Sequence, residues 1–167
     1  MNLSDKVPNL SNICGIALDF SAAPVPSYAD FGQPFYDSYM VESNAKSVYF
    51  GKRSVSFSEE IKESPAGDFW EIKVGIQFPS NDKDRVLRIE EFRKAKYVLV
   101  QLSGGRVLLI GRNDFFQNTK IKVKIKNTEQ LTAVEFTALS ISATGFLPEY
   151  NAGLFPHSIP INFLNAS

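Results

Sequence analysis

Glu59, Glu60, Glu63, Asp68 and Glu71 crowd carboxylates into one short stretch of this chain. A carboxylate pair at the right separation cleaves glycosidic bonds, one group acting as acid and the other as nucleophile or base. Here the acids fall at a turn and on outward-alternating positions, so solvated surface charge is the expected role. Asn81-Asp82-Lys83-Asp84 lacks the longer Asp/Asn pattern and glycine turn of a calcium loop, and helix capping accounts for it. Gly104-Gly105 and Gly111 do not form the GxxxxGK[ST] phosphate loop, and the Gly-Gly pair joins apolar runs instead of opening a helix. Cys14 is the only cysteine and His157 the only histidine. These counts exclude an intramolecular disulfide, a cysteine-based zinc site and a multi-histidine metal centre. Cys14 sits in the apolar run Ile13 to Leu18, which predicts a small core residue. The inventory predicts no catalytic residues, no cofactor, no metal and no small-molecule substrate.

Lys120, Lys122, Lys124 and Lys126 carry the strongest surface signal. They alternate with Ile121, Val123 and Ile125, so a β-strand displays lysines on one face and aliphatics on the other. Such a row suits an edge strand guarded against mispairing, or a surface that meets something acidic. With Arg112 nearby it could also track a phosphate backbone. The interleaved residues are aliphatic, however, and give no stacking platform for bases. The 18 basic and 18 acidic residues cancel, whereas a dedicated nucleic-acid binder usually carries a basic excess. Phe115-Phe116, in a polar loop, either anchors a partner or covers the end of the body.

The elements that must position these groups are mostly strands. Phe69 to Phe78 alternates strictly, with Trp70, Ile72, Val74, Ile76 and Phe78 predicted inward. Arg53 to Ile61 places Val55, Phe57 and Ile61 on one face. Tyr39 to Val41 and Ser47 to Phe50 are short strand candidates. Asp82 to Ala95 reads as a helix with Val86, Ile89 and Phe92 on one face and Leu87 beside them. Asp82 and Asp84 fall at its start and basic residues at its end, which suits the helix dipole. Tyr97 to Leu102 and Val107 to Gly111 flank Gly104-Gly105 as a hairpin. Both runs are nearly all apolar, so both faces should be covered and the hairpin should lie centrally. A long strand from Leu131 to about Ala143 completes the body.

The predicted fold is mainly β: an antiparallel sandwich or barrel-like body with one flanking helix over about 82–95 and irregular arms at both ends. Residues 1–20 read as an entry segment and strand. Residues 21–39 form a Pro- and aromatic-rich loop or arm that packs on its own body or on a neighbour. Residues 40–146 are the body, and 147–167 a second arm. The whole is expected to be a single domain. At 167 residues it has length enough for a core without disulfides or metals. The N-terminus shows no signal-peptide pattern, and no window approaches the roughly 18 apolar residues of a membrane span.

About Val48 to Phe146 resembles, in layout, small structural proteins from the tail modules of tailed phages and prophages of Bacteroidota hosts. The layout is a charged strand from Arg53 to Lys62, a glycine turn, the long alternating strand, a helix, the hairpin from Val98 to Arg112, and a long strand ending at Ala143 to Tyr150. The resemblance implies a sandwich with a flanking helix, subunits in a ring around a tail channel, and arms clasping neighbours. It carries over no catalytic residue, and the lysine row departs from the mostly acidic channel it implies.

The reading is therefore a non-enzymatic structural subunit of a virion tail, assembled in a bacterial cytoplasm. Its expected partners are copies of itself in a ring and neighbouring virion proteins, with transient contact to passing DNA and no membrane. The residues expected to form its interaction surface are Lys120, Lys122, Lys124, Lys126, Phe115, Phe116, Phe35, Tyr36 and Phe155. The alternative is a carbohydrate- or peptide-binding sandwich using Tyr28, Phe31, Phe35, Tyr36 and Trp70.

Overall fold

A computed structural model describes residues 13–20, 32–38, 45–48, 50–51, 54–103, 105–117 and 119–148. Its strands are β1 (Ile13–Asp19), β2 (Lys46–Ser47), β3 (Ser56–Lys62), β4 (Phe69–Pro79), β5 (Tyr97–Leu102), β6 (Val107–Ile110), β7 (Lys122–Asn127) and β8 (Leu131–Ser140). The helices are α1 (Gln33–Ser38) and α2 (Arg85–Lys94). Two four-stranded sheets form, in the orders β2-β1-β5-β6 and β3-β4-β8-β7. Every pairing in them is antiparallel. The molecule is a sandwich and not a closed barrel.

The apolar patterns explain the layers. Ile72, Val74, Ile76 and Phe78 of β4 are buried with Val134, Phe136 and Ala138 of β8. They pack against Ile16, Leu18, Val98, Val100, Leu108 and Ile110 of the other sheet. Phe92 of α2 closes this core, its ring centroid 5.8 Å from Phe78 and 6.0 Å from Phe136. The first sheet is buried on its second face too. Tyr97, Leu99 and Leu109 point there and pack with Phe35 and Tyr36 of α1 and with Leu147. That double burial is why β5 and β6 read as continuous apolar runs. Among the described residues the second sheet is packed on one face only, and its strands alternate.

Several expectations are corrected. Cys14 is exposed: the register slips between Ile13 and Gly15, and burial in β1 begins only at Ile16. β5 is an inner strand but β6 is outermost in its sheet. Residues 145–147 cover its edge, where Leu109 N–H donates to Gly145 O and Leu147 N–H to Val107 O. The Gly-Gly hairpin closes as expected, with Leu102 N–H bonded to Arg106 O. The helix starts at Arg85, later than expected, so Asp82 and Asp84 precede it. Asp82 closes the approach turn instead, accepting from Asp84 N–H at 3.0 Å and from Arg88 Nε. These bonds hold its carboxyl below its ordinary range. Ile89 packs on the core, but Val86 and Leu87 are 73% and 67% exposed.

Within 21–39, read as irregular, Gln33–Ser38 is helical. Pro34 falls in the first turn, where its missing N–H costs nothing. β8 ends at Ser140, and the expected strand at Ser47–Phe50 contracts to Lys46–Ser47. Trp70 is half-buried against the core edge. Residues 21–31, 39–41 and 149–167 lie outside the described residues, Tyr28, Phe31 and Phe155 among them, and so does Arg53.

Candidate interaction surface

The uncovered face of the second sheet gathers most of the surface residues singled out by sequence. β7 is its outermost strand beside β8. Lys122, Lys124 and Lys126 are exposed on it, Val123 and Ile125 are half-buried, and Ile121 is buried. Lys120, just before the strand, is also exposed. Its ammonium is held below the ordinary range, first by partial burial and then by the nearby Arg93 guanidinium.

Next to the row the floor is low. Lys124 faces Glu135, and Lys126 faces Ala133; Gly75 lies between Glu135 and Ser56 on the neighbouring strands. Small side chains there leave a groove of ≈ 240 Å³ walled by Lys124 and Lys126. Towards the other end, Lys120, Lys122, Thr137, Leu139, Glu71 and Phe116 line a second hollow.

That end is apolar. Phe115 packs on Phe69 with ring centroids 4.8 Å apart, and Phe116 meets Phe115 edge-on at 6.1 Å. Yet Phe115, Phe116 and Ile141 remain 38%, 53% and 45% exposed. Leu139 and Ile141 extend the patch because they follow the outward parity of β8. That parity is readable in the alternation of the sequence.

Below the patch lies a buried polar junction. Asp114 Oδ2 accepts from Arg112 Nε (2.7 Å), Ser140 Oγ (3.0 Å) and Ile141 N–H (3.4 Å). Asn113 Oδ1 accepts from Leu139 N–H at 3.0 Å, while its Nδ2 donates to Thr119 O at 3.2 Å. The loop after β6 is thereby tied to the end of β8, which fixes where Phe115 and Phe116 stand. Arg112 itself is 1% exposed, with its guanidinium 4.6 Å from the Phe35 ring centroid. It is core and does not join the lysine row.

The acidic stretch is partly consumed by the fold. Glu59 points inward and accepts from Thr144 N–H at 2.5 Å. Glu71 lies between Lys62 (2.6 Å) and Lys73 (2.9 Å), and those hydrogen bonds hold its carboxyl below its usual value. Glu60, Glu63 and Asp68 are exposed. Of the aromatics expected at the surface, Phe35 and Tyr36 are 5% and 1% exposed. They pack edge-on at 5.2 Å over the first sheet, so α1 covers this chain's own body. The aromatics of the binding-module alternative therefore build no platform among the described residues, since Trp70 turns to the core as well.

Among the described residues no group of three or more His, Cys, Asp or Glu gathers to hold a metal ion, and no helix is long and apolar enough to cross a membrane. No protein-family model, curated protein or solved structure matches the chain.

Proposed function

We propose that this chain is a non-enzymatic structural subunit of a phage virion tail, forming or docking into a ring by contacts of its sandwich body. The observation that carries the reading is the aromatic patch of Phe69, Phe115, Phe116 and Ile141 on the uncovered sheet face. Clustered aromatics at a rigid, partly solvated site are what interface centres are made of. Here the Asp114 and Asn113 hydrogen bonds hold the loop that carries them. The flanking lysines supply the charged surround that steers a partner and fixes its orientation. The assignment to a tail rests on the sequence layout of about Val48 to Phe146, which resembles that of tail-module proteins.

Sedimentation of the purified chain at rising concentration, alone and with the products of flanking genes, tests the reading. A larger species is expected, and Phe116→Ser should weaken it. A chain that stays monomeric and binds none of those products would sink the proposal.

A further inference from the structure

The second sheet ends in two unlike strands. β3 and β7 are outermost, and among the described residues no strand pairs with either outer edge. The four strands are antiparallel throughout, so β3 and β7 run in opposite directions. A second copy shifted along the sheet, with the same face outward, therefore brings its β3 antiparallel to β7. Antiparallel pairing is the more stable arrangement per residue, and the pleat then matches face to face.

Both edges are incompletely covered on the core side. Val123 and Ile125 of β7 and Phe57 of β3 are half-buried, and Ile61 is 54% exposed. Pairing the edges would extend one core rim into the other. On the outer face β7 offers Lys122, Lys124 and Lys126. On the β3 side Glu59 and Glu71 are already engaged, while Glu60 keeps a side chain 71% exposed, 4.0 Å from Lys62. Glu63 follows just beyond the strand and is exposed. Pairing β7 with another β7 would set lysines against lysines, and like charges across a strand pair are destabilising. The charge pattern thus selects the unlike edge.

Resting on the assembly reading above, we infer that β7 of one copy takes β3 of a second copy as its next strand, head to tail, with the lysine row facing Glu60 on the outer face and the exposed Glu63 lying just past the strand's end. Such a contact uses two different patches, so it repeats around a ring if the rotation closes and along an open filament if it does not. The same lysines keep the edge from pairing indiscriminately when no copy is present.

Charge exchange is the test. One variant carries Lys124→Glu with Lys126→Glu, a second carries Glu60→Lys with Glu63→Lys, and each is sedimented alone and mixed one to one. Each alone should lose affinity by about tenfold or more, in line with charge pairs at other interfaces. The mixture should recover the assembly, because each edge then meets its opposite; that recovery also shows that both variants are folded. Wild-type assembly that survives both reversals overturns the edge pairing while leaving the assembly reading intact. Loss in both variants without recovery on mixing overturns it as well. A wild-type chain that never assembles overturns both readings.

Discussion

At the residue scale the fold leans on polar groups whose sequence signal is weak. Arg112 looks like a surface cation beside a lysine strand, yet it is buried against Phe35 and held by Asp114. Nothing local announces this, because its neighbours in space come from α1 and the end of β8. Cys14 errs in the other direction: an apolar run predicts burial, and a register slip at the strand's start exposes it. Removing one partner of a buried ion pair leaves an uncompensated charge, which costs about 3–5 kcal/mol. Asp114→Ala should lose about that much in denaturant unfolding, and an unchanged midpoint would show that the junction carries no stability. Tyr36 gives a pH-dependent handle. Its hydroxyl donates to Ala143 O at 3.2 Å, and burial pushes its pKa from 10.0 up to about 12. Tyr97 is raised as well, again chiefly by burial. A phenol that holds its proton more tightly in the folded state contributes stability below its unfolded pKa. That stability is lost as pH rises through the folded value. Unfolding midpoints should therefore fall between about pH 10 and 12, less steeply in Tyr36→Phe. Parallel curves for the two chains would remove Tyr36 as the cause.

At the element scale the hydrophobic period was a good guide where one face decides the outcome. β4 and β8 alternate because one side meets the core and the other is uncovered. β5 and β6 do not alternate because α1 and Leu147 cover their second side, and the sequence showed the double burial without showing what does the covering. The helix was the weaker case. Its apolar residues cannot all face the core from ten helical residues, so Ile89 and Phe92 take the inward positions and Val86 and Leu87 stay out. α1 was obscured by the prolines and glycine of the segment 21–39, although Pro34 fits a first turn. The β4 register gives a direct check. Ile76 is fully buried between the sheets, and truncating such a side chain costs its transfer energy plus a cavity, about 2–5 kcal/mol. Ile76→Ala should lower the unfolding free energy by that amount, whereas Gln77→Ala on the outward face of the same strand should change it by about 0.5 kcal/mol or less. Equal effects at both positions would mean that the faces of β4 are assigned the wrong way round.

At the scale of the whole molecule the asymmetry between the sheets matters most. One is covered on both faces, and the other presents a face that is aromatic at one end and cationic along one edge. Sequence alone located both features but could not place them on a common surface, because Phe115-Phe116 and the lysine row meet only through the packing of the loop after β6 on β8. Salt should separate their contributions to assembly. The screening length is about 10 Å at 0.1 M salt and about 3 Å at 1 M. An interface that depends on Lys122, Lys124 and Lys126 meeting acids across a strand edge should therefore weaken over that range. Burial of Phe115 and Phe116 is apolar and has no such dependence, so the part of the affinity they supply should persist. Sedimentation of the wild-type chain across a salt series, beside Lys122→Gln with Lys126→Gln and beside Phe116→Ser, reads both parts. The glutamine variant should assemble more weakly than wild type at low salt and converge with it at high salt. Phe116→Ser should be weaker by a similar factor throughout. Neutralising exposed lysines should itself change folding stability by only about 0.5 kcal/mol or less, so the unfolding midpoint of the glutamine variant serves as its control. Wild-type assembly indifferent to salt, with no defect in the glutamine variant, would reduce the lysine row to an edge guard and leave the aromatic end to carry association alone.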